Sequence, residues 1–244
     1  MAPDRPRALT ADQLSFEVAG LPLPVALKPM KQARRLRLRI DHEAKVLRLT
    51  LPWRYSRKKA LAWVGEQSEW VERQLAQAPA ARPFVDGARV PFRGGELLLA
   101  WAEGERRGVR LEGDRLIVGG PEASFARAVE RWLRAEALEV LSGLTREIAE
   151  REGVSVRSVA VGDPVSRWGS CSSDGSLRYS WRLILAPHEA LRFVVAHEVA
   201  HRLHMDHSPA FRAAEARLFG GPVAFARGVL RSVGAGLRGV GRGV

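Results

Sequence analysis

Residues 197–201 constrain the fold of this 244-residue chain more than any other stretch, because they read His-Glu-Val-Ala-His. Two histidines four positions apart share one face of an α-helix, about 6 Å from each other, so this spacing favours a helix. The neighbouring residues favour a helix over about 187–204: residues 191–196 are mostly apolar, Pro187 suits a first turn and Glu189 the positive end of the helix dipole. On a buried helix these three polar side chains are costly unless something satisfies them. A metal site is therefore favoured over a helix with two hydrogen-bonded core histidines.

The spacing also predicts a chemistry. His197 and His201 can each present a ring nitrogen to one zinc ion, and Glu198 lies beside them on the same helix. Zinc polarises a carbonyl and makes a water more acidic, and a neighbouring carboxylate can take the proton from that water. The segment therefore predicts a metallohydrolase that cleaves amide bonds, with Glu198 as the base.

The third metal ligand has two candidates, His204 and His207. His204 is seven residues after His197, which places their Cα atoms about 10 Å apart along one rigid helix. His207 can reach the metal only if the helix breaks. Ser208-Pro209 predicts that break, because a residue before proline avoids the α region and Ser followed by Pro is typical of a new helix start. The geometry favours His207 as the ligand and His204 as a residue at the rim, with Asp206 a candidate to orient one of the ligands.

Three groups of residues resemble the YgjP-like metallopeptidase domain, a family related to the SprT-like zinc proteases. They are Arg167-Trp168-Gly169-Ser170-Cys171-Ser172, then Trp181-Arg182-Leu183-Ile184-Leu185-Ala186-Pro187, and then the helix with His207-Ser208-Pro209 and Phe211. The resemblance covers most of residues 30–219. It implies a zincin-type site in which His197, His201 and His207 bind zinc and Glu198 is the catalytic base. Some resembling proteins are described as nucleoside triphosphate pyrophosphatases, which implies a second candidate substrate.

Two further residues are candidates for catalysis. The attack of water on a carbonyl creates negative charge, and a donor near the metal would stabilise it. Arg167 and Tyr179 come shortly before the metal helix and could supply that donor. The alternative is that Arg167 pairs with a carboxylate and that the aromatic residues nearby only pack. Cys171, in a turn-like stretch, is expected to be a small packing residue rather than a nucleophile.

The chain has a net charge of +12, and most of it is concentrated in one segment. Residues 28–59 contain twelve Lys or Arg against Asp41 and Glu43, a net +10. Such a patch from Lys28 to Lys59 suits a nucleic acid, a nucleotide or an acidic substrate, although a solvated surface is an equal alternative. The chain has one Cys and no apolar run of membrane-spanning length, and its first residues do not resemble a secretory signal. We therefore expect a cytoplasmic protein with no membrane contact.

The predicted fold class is α+β, with a basic β-rich N-terminal module before a zincin-like module made of a long helix, a small sheet and the metal helix. Alternating Leu and Arg from Arg35 to Ile40 predict a strand that pairs with Val46 to Leu51, and a helix should follow from Ser56 to about Gln77. A long helix is expected from Pro121 to about Glu152 and a hairpin over about 168–184, in which Leu177 to Leu183 would bind an extended peptide at its edge. No internal repeat is evident.

The predicted divisions are residues 1–29, an extended lead-in; 30–119, the basic module with one helix; 120–219, the catalytic module; and 220–244, a Gly- and Arg-rich tail with a mobile end. The predicted function is a zinc metallopeptidase acting on peptides or proteins. The alternatives are a nucleoside triphosphate pyrophosphatase on the same metal site, and a nucleic-acid-binding module with a structural metal. Three histidines beside a spare glutamate fit an open, catalytic site better than a closed structural one.

Overall fold

The computed structural model describes residues 15–41, 44–76, 80–164 and 166–243, and the predicted α+β class is confirmed within them. The strands are β1 (Ser15–Phe16), β2 (Val25–Met30), β3 (Arg37–Asp41), β4 (Val46–Pro52), β5 (Arg89–Phe92), β6 (Gly95–Ala102), β7 (Gly108–Glu112), β8 (Arg115–Gly119), β9 (Ser158–Gly162), β10 (Gly169–Cys171) and β11 (Ser176–Ser180). The helices are α1 (Arg57–Gly65), α2 (Ser68–Ala76), α3 (Phe125–Arg151), α4 (His188–Ala200), α5 (Pro209–Phe219) and α6 (Val223–Gly239). In the described ranges, no helix is long and apolar enough to cross a membrane.

The chain divides into two compact units, residues 1–78 and 79–244. The sequence placed the main boundary later, at 119/120. The difference arises because β5 to β8 share their hydrophobic core with the long helix α3: Leu99 and Leu116 belong to the same buried cluster as Leu133. Strands that bury their apolar face against α3 are part of the same unit as α3.

The first unit is a four-stranded sheet with the order β1-β2-β4-β3, covered on one face by α1 and α2. The predicted inward residues Leu47, Leu49 and Leu51 are buried. Ser56 caps α1, as predicted, with its Oγ accepting from the backbone N–H of Lys59 at 3.4 Å. The single predicted helix is two helices, because α1 ends at Gly65 and glycine is a poor helix former.

The second unit contains two sheets, with the orders β5-β6-β8-β7 and β10-β11-β9. The long helix α3 packs against β8, β9 and α4, so the helix that carries His197 lies against the core of this unit. The predicted hairpin is present as β10 and β11, but β11 is the central strand and residues 181–185 form a buried 3-10 helix. The predicted peptide-binding edge, Leu177 to Leu183, is therefore not an edge, and β10 is the edge strand on that side.

The structure contains a repeat that is not evident in the sequence. In both four-stranded sheets the first two strands are antiparallel, the second and fourth are parallel, and the third and fourth are antiparallel. A helix follows the fourth strand each time, α1 in one case and α3 in the other. The two copies have different side chains at equivalent positions, which explains why the shared topology leaves no readable repeat in the sequence.

The two ends of the chain differ from the predicted lead-in and tail. Residues 15–30 contribute β1 and β2 to the first sheet, while residues 1–14 lie outside the described part. The Gly- and Arg-rich tail is largely helical: α6 runs to Gly239 and buries Ala226, Leu230 and Leu237. The buried guanidinium of Arg182 donates to main-chain carbonyls at the end of this helix. A helical stripe of apolar residues among the glycines accounts for the helix.

Candidate metal centre

The metal helix α4 forms where the sequence predicts it but is shorter. Glu189 lies in its first turn and Pro187 at its N-cap, and its apolar residues are buried against α3 and α6. The helix ends at Ala200, with His201 as the C-cap residue, rather than at about 204. The chain then turns and α5 begins at Pro209, with Ser208 Oγ accepting from the backbone N–H of Phe211 at 3.3 Å. The predicted break and helix restart at Ser208-Pro209 are confirmed.

The break brings three histidines together. The ring nitrogens that His197, His201 and His207 can offer to a metal all lie within 4.8 Å of one another. The Nε2 atoms of His197 and His207 are 3.5 Å apart. Two nitrogens on one tetrahedral zinc, each about 2.05 Å from it, are separated by about 3.4 Å. This pair is therefore already at the spacing that zinc requires.

His204 is not a member of this group. Its backbone carbonyl accepts a hydrogen bond from His201 Nδ1 at 3.1 Å, so the residue serves the site through its main chain. Asp206 does not orient a ligand either, because its carboxylate accepts from the backbone N–H of Ser208 at 3.1 Å.

Glu215 is the acidic residue that orients a ligand, and the sequence reading missed it. Its side chain is 2% exposed, and its Oε1 accepts from His197 Nδ1 at 2.7 Å. Arg227 on α6 donates to Glu215 Oε2 at 3.1 Å. The signal was available in the sequence: Glu215 falls on the buried stripe of α5, between Phe211 and Leu218, where an unpaired acid would be costly.

The hydrogen bonds of His197 and His201 use the Nδ1 atom of each ring and leave the Nε2 atom available to a metal. Because Nδ1 of His197 and of His201 each donate to an oxygen, the Nε2 atom of each ring is the one without a proton. Phe211 is buried against all three imidazoles, with ring centroids 4.5–5.1 Å away. Its ring packs against all three imidazoles and limits how their planes can turn, while His207 stays exposed to solvent.

Glu198 lies beside this cluster and is 5% exposed. Burial disfavours its charged form and raises its pKa to about 7, while the positive charge of Arg167 acts in the opposite direction. Gly169 on β10 packs directly on it: a Cβ atom at that position would come within 2.6 Å of Glu198 Cγ and 2.8 Å of its carboxyl carbon. The glycine therefore leaves the space that this carboxylate occupies.

A cleft of about 400 Å³ opens next to these groups. Its lining includes His197, Glu198 and His207 together with three arginines, Arg167, Arg212 and Arg227. Leu230 on α6 completes one wall. The predicted candidate Arg167 is thus placed at the cleft, together with Arg212 and with Arg227, which is paired with Glu215.

The other predicted catalytic candidate, Tyr179, lies elsewhere. It is completely buried on β11, and its hydroxyl is 3.0 Å from Thr145 Oγ1 on α3. Burial raises the pKa of this phenol well above its ordinary value. The residue has a packing and hydrogen-bonding role, because a hydroxyl bound inside the core cannot donate to a substrate in the cleft. Burial likewise raises the pKa of the Cys171 thiol, which agrees with the expected packing role.

Comparison with protein families finds a match between residues 34–223 and the model of the YgjP-like, metallopeptidase domain. Comparison with curated proteins finds no match. Among solved structures, the crystal structure of the metallopeptidase zymogen of Pyrococcus abyssi abylysin matches with a TM-score of 0.34 and 16% sequence identity, over 38% of this chain and 90% of that chain.

Proposed function

The chain belongs to the YgjP-like metallopeptidase family, and we propose that it is a zinc-dependent peptidase in which Glu198 is the general base. One observation carries the proposal: His197, His201 and His207, from two sides of a helix break, converge on one point. The buried carboxylate of Glu198 lies beside them and is not itself a member of the ligand group. Three protein ligands with a fourth position left to water or substrate are typical of catalytic zinc sites.

The donor set fits zinc. His197, His201 and His207 would hold the ion through ring nitrogens, and imidazole is a ligand that zinc accepts well and that magnesium and calcium seldom use. The hydrogen bonds from His197 to Glu215 and from His201 to the His204 carbonyl support this assignment, because they fix each ring with its lone pair inward. When bound, zinc supplies a Lewis acid that polarises a carbonyl and makes a water more acidic.

The remaining steps belong to side chains of this protein. Glu198 takes a proton from the attacking water and passes it to the leaving amine, and a pKa raised by burial suits a group that must both accept and release a proton near neutral pH. Arg167 lines the same cleft and supplies positive charge where the oxyanion develops. An extended substrate would lie along β10, the edge strand that contacts α4.

A second candidate function has a specific observation in its favour. Arg167 and Arg212 line the cleft beside Arg227, which is paired with Glu215, and guanidinium groups are well suited to phosphate. A nucleoside triphosphate pyrophosphatase acting on the same metal site would use them to hold the phosphates. We place this function second because the family is a metallopeptidase family.

The first test is metal content. Purified wild-type protein should contain about one zinc per chain, and His201→Ala should lose it. His204→Ala is the matched control, because it removes a histidine from the same turn while keeping the carbonyl that His201 uses. Equal loss of zinc in both variants, or no zinc in the wild type, would refute the ligand assignment.

The second test separates the substrates. Wild type and Glu198→Gln are compared on an unfolded protein and on nucleoside triphosphates, and we expect proteolysis that falls by at least a hundredfold in the variant. Glu198-dependent release of pyrophosphate without proteolysis would establish the second candidate instead. Retained zinc with no hydrolysis of either substrate would point to a binding module with a structural metal.

A further inference from the structure

The first unit presents a row of positive charge on the solvent face of its sheet. Thr50 on β4 has Lys28 on β2 and Arg37 on β3 as its cross-strand partners. Two residues further along, Arg48 on β4 is the cross-strand partner of Arg39 on β3. Cross-strand partners lie on the same face of a sheet, so the four cations point away from the helices, and all four are exposed. Lys28, Arg37 and Arg39 form no ion pair with a carboxylate of the described residues. Arg48 is paired with Asp41 at 2.6 Å, so three of the four cations on this face have no carboxylate partner among the described residues.

The basic face ends at a groove that contains aromatic rings. β3 is the outer strand of the sheet, and a groove of about 340 Å³ runs between the segment around it and the helices α1 and α2. Residues 35–38 line one wall, with Leu36 and Leu38 on the face of this segment opposite to that of Arg35 and Arg37, and Trp63, Gln67 and Trp70 line the other wall. Both tryptophans pack on the core with part of their surface and remain partly exposed. Charge and aromatic surface therefore meet in one concave site.

We propose that this groove and the adjoining sheet face bind single-stranded nucleic acid, with a base against Trp63 and Trp70 and the phosphates on Arg35, Arg37 and the sheet-face cations. The combination fits a single strand better than a duplex, because only unpaired bases can stack on tryptophan while their phosphates follow a basic surface. The net charge of +10 over residues 28–59 supplies long-range attraction for a polyanion. Trp53, which is 63% exposed directly after β4, offers another ring for stacking beyond the groove. The inference is independent of the metal centre, since all of these residues belong to the first unit.

The electrostatic part is tested by the double variant Arg35→Gln, Arg37→Gln in the full chain. Binding of fluorescein-labelled oligothymidylate of 20 nucleotides is followed by fluorescence anisotropy from 50 to 300 mM salt, with zinc and with a chelator. We expect affinity to fall at least tenfold at 100 mM salt. The salt dependence should lose about 1.4 units of slope, since each contact with a single strand contributes about 0.7. The matched control is Arg127→Gln, Arg131→Gln, two exposed arginines one turn apart on α3, which should change affinity less than twofold.

The aromatic part is tested by Trp70→Leu, which keeps an apolar side chain against the core. It should weaken oligothymidylate binding at least fivefold while leaving the salt slope unchanged, because a neutral ring releases no counterions. Equal slopes and affinities for the arginine pair and its control would overturn the proposal. So would equal affinity for a duplex of the same length, or binding to vesicles containing phosphatidylserine in place of the oligonucleotide. If Trp70→Leu fails to fold by circular dichroism, the exposed arginine pair and the duplex comparison still decide the question.

Discussion

The contact between Gly169 and Glu198 gives the sharpest test of the proposed catalytic base. In Gly169→Ala the new Cβ would lie 2.6 Å from Glu198 Cγ, whereas 3.4 Å is an ordinary contact, so the two groups must separate by about 0.8 Å. Gly169 is held in β10 by its pairing with Tyr179, and the buried Glu198 side chain is the part that can move. A displacement of about 1 Å at a catalytic group costs about a hundredfold in rate, or about 2.7 kcal/mol of transition-state stabilisation.

The assay is kcat/KM on a peptide substrate together with zinc content and thermal stability. We expect Gly169→Ala to keep its zinc, because the atoms nearest to the added Cβ all belong to Glu198, and to lose about a hundredfold in kcat/KM through kcat. Gly143→Ala on α3 is the matched control: nothing lies within 4 Å of its added Cβ, and alanine favours a helix. Full activity in Gly169→Ala would show that the position of Glu198 does not limit the reaction, and loss of zinc would show that the substitution acts on the ligands instead.

Three further predictions concern groups around the site. Glu215→Gln should weaken zinc binding by about 10- to 100-fold in competition with a chromophoric chelator, because His197 loses its charged partner, and excess zinc should restore activity. Tyr179→Phe should leave kcat/KM within about twofold. It should lower the free energy of unfolding by about 1 kcal/mol in urea titration, because Thr145 loses its buried hydrogen-bond partner. A large loss of kcat would indicate that Tyr179 has a catalytic role. Arg182→Met should lower the free energy of unfolding by about 2 kcal/mol, because the buried Arg182 loses its partly exposed partner Asp163 and its hydrogen bonds to the end of α6. An unchanged urea midpoint would contradict that role.

The sequence predicted the cluster of three histidines because the features that bring them together are local in the chain. The helical spacing of His197 and His201 and the break at Ser208-Pro209 are properties of one stretch of thirteen residues, 197–209. Steric rules for proline and for helix starts act over that distance, so the return of His207 toward the helix could be predicted before any tertiary contact was known.

The contacts around the cluster could not be predicted in the same way. The partner of His197 is on α5, and the arginine that holds that partner is on α6. Tyr179 was a reasonable candidate by position in the chain, but the alternation of β11 turns it toward Thr145 on α3 and away from the cleft. The alternation of a short strand shows which residues share a face. It does not show which of the two faces is turned toward the core, because that depends on how the sheet packs.

The helix α6 follows the region matched by the family model, which ends at residue 223, yet Arg227 and Leu230 on this helix line the cleft. Most residues that line the cleft lie within the matched region, but α6 contributes part of its wall from outside that region. The proposed ligands His197, His201 and His207 and the proposed base Glu198 all lie within residues 34–223, whereas Arg227 and Leu230 lie beyond them. Two relatives can share every metal-binding residue and still differ in what they cleave, if the helix that walls the cleft differs between them.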